Sequence, residues 1–146
     1  MGQFHSTFSS VGNKHDFSPE AWRVYFDPSR SKQWEEDIGG AIQFLNENEE
    51  QYSISMNYNK EKGISISYDR YNKSDFSRNF SMISQSSEIN KEGFDVLDNG
   101  ASVPRNSYIS WGVARAVVED FLCNPERQSK SVNWIDAKHL DWPEDY

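Results

Sequence analysis

Three histidines, one cysteine, many serines and 23 acidic side chains are what this chain offers for chemistry. None of His5, His15 and His139 has a second His or Cys at metal-ligand spacing, and Cys123 stands alone. His15 precedes Asp16, but sequence neighbours point apart on either regular element. No serine sits in a G-x-S-x-G elbow, and neither a Walker A loop nor G-x-G-x-x-G occurs. Glu35/Glu36 and Glu119/Asp120 are adjacent carboxylates that carry no special weight, since a glycosidase-like pair is defined by its separation in space and not by sequence. In so acidic a chain such pairs arise without catalytic purpose. The residue types point away from catalysis, metals and cofactors, and a small carboxylate-dependent enzyme is the weakest of the readings.

Charge is more informative. The chain carries −8 overall, and two blocks account for it. Residues 31–50 set Lys32 against Glu35, Glu36, Asp37, Glu47, Glu49 and Glu50, and residues 119–146 include Asp136, Asp141, Glu144 and Asp145. Nucleic-acid binding needs clustered Lys and Arg to displace counterions, so it is not expected. An acidic surface attracts basic partners and speeds their association. The plainer reading is a solvated face that aids solubility.

The elements that would position these residues can be read from periodicity. Ala21–Phe26 (AWRVYF) reads as a strand before the DPSRS turn. A helix is expected from Lys32 to about Asn48, capped by Ser31, with Trp34, Ile38, Ala41, Ile42 and Leu45 on one stripe. Gly39 and Gly40 weaken its middle by about 1 kcal/mol each. Tyr52, Ile54, Met56 and Tyr58 alternate with polar residues, as do Ile64, Ile66 and Tyr68, which predicts a hairpin with a serine-lined outer face. Asp69, Arg70 and Tyr71 are expected in the loop beside it, offering contacts to a partner. Phe76–Ser84 and GFDVLD read as further strands and DNGASVPRN as a turn. Ser110 caps a second helix whose stripe is Ala114, Val117, Val118, Phe121 and Leu122, and Asn124–Pro125 ends it. SVNWID closes the series as a strand.

This order predicts an α+β fold: an antiparallel sheet of about five to six strands with two main helices packed largely on one face. A single domain over 1–146 is expected, with loose ends at 1–18 and 137–146. Trp22, Trp34, Trp111 and Trp134 read as core. Trp142, among acids in the tail, fits either a binding anchor or an ordinary chain end. The lone cysteine, the lack of a long apolar run and an N-terminus unlike a secretory signal predict a soluble cytoplasmic protein. The match of Gly2 and Ser6 to a myristoylation pattern is too short to weigh.

From Leu97 onward the sequence LDNGASVPRNSYIS, then WGVARAVVEDFL, then SVNWID resembles the Imm1 family of bacterial immunity proteins. Asp98–Gly100 stands at the family's turn, Ile109–Ser110 at its helix entry, and Val132 with Trp134 at its terminal V-x-W. The loop departs from the pattern, since Pro125 precedes Arg127 where relatives place Arg ahead of Pro. The resemblance covers about the last forty residues and otherwise only the element order. It implies a cytoplasmic bacterial protein that binds one cognate toxin C-terminal domain in a 1:1 complex, without membrane, nucleic acid or cofactor. The toxin implied acts on nucleic acid or nucleotides and has a basic active-site cleft that an acidic inhibitor can occlude. Expected toxin-binding residues are Glu35, Glu36, Asp37, Glu47, Glu49, Glu50, Asp69, Tyr71, Asp136, Asp141, Trp142, Glu144 and Asp145. The alternative is an acidic adaptor for another basic protein.

Overall fold

The computed structural model describes residues 2–86 and 93–143. Its frame is the expected hairpin. β3 (Gln51–Asn59) and β4 (Gly63–Tyr71) pair antiparallel along their whole lengths, from Gln51↔Tyr71 to Asn59↔Gly63. Gly63 closes the turn at φ 118°, a conformation side chains rarely adopt. β2 (Gly39–Leu45) and β1 (Gln3–Ser6) extend the sheet on one side. On the other side come β5 (Phe80–Gln85) and β9 (Asn133–Asp136). The order is β1-β2-β3-β4-β5-β9, and β8 (Tyr108–Ile109) pairs with β4 beyond the end of β5. Every pairing is antiparallel, as expected for an α+β fold.

Among the described residues three helices pack on one face: α1 (Pro19–Arg23), α2 (Ser31–Asp37) and α3 (Trp111–Cys123). α3 matches its sequence reading closely. The Ser110 hydroxyl accepts the Val113 N–H, and all five stripe residues are buried. Its Phe121 ring meets Phe4 at 6.1 Å and Tyr68 at 6.2 Å. The rest of this core is aromatic. Trp34 is fully buried among Phe8, Phe26, Tyr58 and Trp111, with ring centroids 5.4–6.1 Å apart.

Four expectations are corrected. The helix expected to Asn48 stops at Asp37, and the chain turns at Ile38, φ 61°, into strand β2. Two glycines in succession cannot hold a helix against sheet pairing. Gly40 is also required in the strand, where an added Cβ would fall 2.5 Å from the buried Phe8 ring. AWRVYF is not a strand: Ser18 caps α1 with Pro19 at its first position, a helix-start signal that the apparent alternation masked. Trp22 and Phe26 are buried four residues apart, whereas Val24 is 49% exposed. Part of the DNGASVPRN turn is strand β7 (Ser102–Pro104), which pairs with β6 (Phe94–Val96) in a separate ribbon. Asp69–Tyr71 is not loop but the end of β4.

The described residues near both ends are also tied in. β1 lies in the sheet, Phe8 and Val11 are buried, and the Asp37 carboxylate accepts the N–H groups of Ser9, Ser10 and Val11. Near the C-terminus, the Trp142 ring packs 5.0 Å from Phe94 and its indole N–H donates to the Ala137 carbonyl.

Candidate protein-binding face

Strand alternation sends every second side chain away from the helices. At one end this second face is covered. Ser65 and Ser107 share a hydroxyl–hydroxyl bond of 2.6 Å there, and Asn99 of the β6–β7 connection donates to Asn57. The other end is open. Register lines up Gln3, Leu45, Gln51 and Tyr71 in one row and His5, Gln43, Ser53, Asp69 and Ser81 in the next. Ala41, Ser55, Ser67 and Ile83 form a third, in which Ile83 is buried, as is Ser53 in the second.

The first row carries an apolar rim. Leu45 is 48% exposed, Tyr71 49% and Phe76 67%, and the Tyr71 and Phe76 rings lie 6.1 Å apart. Three of the five exposed large hydrophobic residues of the described chain thus lie along one end of the sheet, Tyr71 and Phe76 in contact and Leu45 two strands away in the same row. The second row carries charge. Asp69 is half-buried, accepts the Ser67 hydroxyl at 3.0 Å, and has no Lys or Arg within ion-pair distance among the described residues. Burial pushes its pKa above the ordinary carboxylate value, and the Ser81 and Ser67 hydroxyls oppose only part of that. A carboxylate held this way favours an incoming cation, because a partner's ammonium or guanidinium would restore the lost solvation.

Of the residues expected to bind a partner, Asp69 and Tyr71 come together here. The rest scatter. α2 leads into Gly39 at one end of β2, while the Asn46–Glu50 turn follows Leu45 at the other, so the first acidic block is split across the length of a strand. Asp37 is committed to the loop it caps, and Glu36 accepts the Ser10 hydroxyl at 2.9 Å. Glu35 lines a shallow groove with Tyr58 and Asp98. Glu50 is buried and bonded to Arg78 at 2.8 Å and to Asn72. Those bonds, Arg78 first, hold its pKa below the usual carboxylate value. Glu49, φ 61°, is exposed and stands 3.8 Å from Lys73, and Glu47 is exposed on the same turn. Asp136 accepts the Lys138 N–H, which lowers its pKa. Asp141 lines a cleft, and Trp142 is packed rather than free. Glu144 and Asp145 lie outside the described residues.

Leu45 and Phe76 were not singled out in the sequence. The helical period puts Leu45 on a buried stripe, and the sequence puts Phe76 at the start of a strand, whereas Phe76 lies in a short helical turn, Phe76–Arg78, ahead of β5. Among the described residues no group of three or more His, Cys, Asp or Glu side chains could hold a metal ion, and no helix is long and apolar enough to cross a membrane.

The face is hydroxyl-lined, with an apolar rim and a carboxylate that has no counter-ion among the described residues, a composition suited to a protein surface. No family model, curated protein or solved structure matches this chain.

Proposed function

We propose that this protein is an immunity-type inhibitor that binds a single basic toxin domain in the bacterial cytoplasm, 1:1, through the open face of its sheet. The observation that carries the reading is Asp69, a half-buried anion with no Lys or Arg at ion-pair distance among the described residues, on a face rimmed by Leu45, Tyr71 and Phe76. A partner cation on Asp69 gains a poorly solvated charge pair, and such pairs cost about 2–5 kcal/mol when one member is removed. Burying the three rim side chains adds about 1.5–3 kcal/mol for each one fully covered. The overall charge of −8 favours a basic partner, such as a toxin that acts on nucleic acid or nucleotides. The resemblance of residues 97–136 to immunity proteins points the same way.

The test is co-purification with the protein encoded beside it, followed by assay of that protein's toxicity in cells with and without this chain. A stable complex and rescue of growth support the reading. Absence of both a complex and protection would refute it, and a complex with a harmless basic protein would favour an adaptor.

A further inference from the structure

A groove of 460 Å³ lies at the end of β2 and β3 opposite Leu45, within the usual range for ligand sites. Three elements meet there: α2, the β3–β4 turn and the tip of the β6–β7 ribbon. Ile38, Val96 and Leu97 give it apolar walls. Val96 is 72% exposed, the highest value among the exposed large hydrophobic residues of the described chain. Ile38 is fixed at both backbone groups: its N–H donates to the Trp34 carbonyl and its carbonyl accepts the Tyr58 N–H, each at 2.7 Å. The groove is therefore preformed.

Its charge is one-sided. Each element contributes a carboxylate, Glu35 from α2, Glu61 from the turn and Asp98 from the ribbon tip, and Lys60 is the one cation among the lining residues. None of the three carboxylates has a Lys or Arg at ion-pair distance among the described residues. No group of carboxylates there could hold a metal ion, so the charge is spread along the groove and not focused on a point. Tyr58 adds a polar atom. It lines the groove at 8% exposure, and its hydroxyl has no hydrogen-bond partner among the described residues. Burial first, then the Glu35 charge, raises the pKa of that hydroxyl, so the carboxylate stands near it. A hydroxyl so placed is ordinarily bonded. This one is not sealed from solvent, so an incoming donor can reach it.

We propose that this groove docks a basic segment of a partner protein, an apolar side chain flanked by lysines. An occupant must cover Val96, bring positive charge to carboxylates on three elements, and donate a hydrogen bond to Tyr58. A lysine-bearing segment meets all three demands, since an ammonium carries three donors on an alkyl stem that lies along apolar walls. A small inorganic cation leaves Val96 uncovered, and an acidic segment is repelled. The identity of the partner rests on the inhibitor reading above: the segment belongs to the toxin, which then spans β3 from the row of Asp69 to the groove. Ser53 and Tyr58 stand five residues apart on that strand, about 17 Å, well within one interface of standard size.

The experiment needs no toxin. Isotope-labelled protein is titrated at neutral pH and low salt with acetyl-Lys-Leu-Lys-amide, and amide shifts are followed. The expected result is saturable shifts confined to the groove and absent with acetyl-Glu-Leu-Glu-amide. Val96→Ser and Tyr58→Phe each weaken binding about fivefold, and Glu35→Gln or Asp98→Asn about threefold, while Asp69→Asn leaves it unchanged. Val96, Glu35 and Asp98 are exposed, so their variants stay informative if Tyr58→Phe disturbs the core. Equal binding of acetyl-Lys-Gly-Lys-amide overturns the proposal, since charge alone would then explain it. So do shifts spread over distant acids such as Glu49 and Asp136, or no saturable shifts at all. Peptide binding with no toxin complex leaves the groove standing and removes the inhibitor reading. A toxin complex without peptide binding does the reverse.

Discussion

Two carboxylates show how position decides what an acidic residue contributes. Glu50 is bonded to Arg78 and Asn72, and its folded-state pKa is depressed. Its contribution is therefore present above its unfolded pKa and lost as pH falls through the folded one. Asp69 has the opposite sign. Burial raises its folded pKa, so charging it opposes folding, and its cost grows as pH rises from the unfolded value through the folded one. Asp69→Asn should therefore raise the thermal midpoint at neutral pH, with the gain vanishing once pH falls below the ordinary carboxylate range. Midpoints across a pH series check both the sign and the window. A residue that destabilises its own fold and sits on an open face is what a binding site predicts. Glu49 is a different case: it is exposed, holds a positive φ and pairs only loosely. Glu49→Gly should stabilise by about 0.5–1 kcal/mol in urea unfolding, because relief of about 1–2 kcal/mol of left-handed strain outweighs the extra chain entropy that glycine loses on folding.

Among the elements, α3 and the β3–β4 hairpin were legible because every local signal agreed: cap, stripe and stop in one, strict alternation in the other. Residues 38–45 were not legible, because Ala41, Ile42 and Leu45 satisfy a helical period while Ile42 and Phe44 satisfy a strand period. Sheet pairing with β3 decided between them. One substitution separates the two states. In an exposed helix, Gly40→Ala would stabilise by about 1 kcal/mol. In the observed strand its methyl meets the buried Phe8 ring, so it should destabilise by about 1–3 kcal/mol in chemical denaturation. α1 was missed for a similar reason, since an alternation of apolar residues outweighed the Ser18–Pro19 start. The candidate site was half legible. Asp69 and Tyr71 stand two apart on one strand, but Leu45 shares their face only through strand register and Phe76 only through a turn that folds its ring beside Tyr71, neither of which local periodicity encodes.

For the whole molecule, all three helices cover one face of the sheet and leave part of the other open, so shape and charge cooperate there. Two acidic blocks read in sequence become separate features in space, several of them consumed by capping and ion pairs. The net charge still sets the long-range field. Association with a basic toxin should slow by about tenfold or more between low and physiological salt, while dissociation changes less; stopped-flow mixing would show it. The central claim is that the open sheet face is the binding surface, and the dissociation constant of the Asp69→Asn variant for the toxin tests it most directly. The account predicts a complex at least about tenfold weaker from a protein that is itself more stable. An unchanged dissociation constant would contradict it.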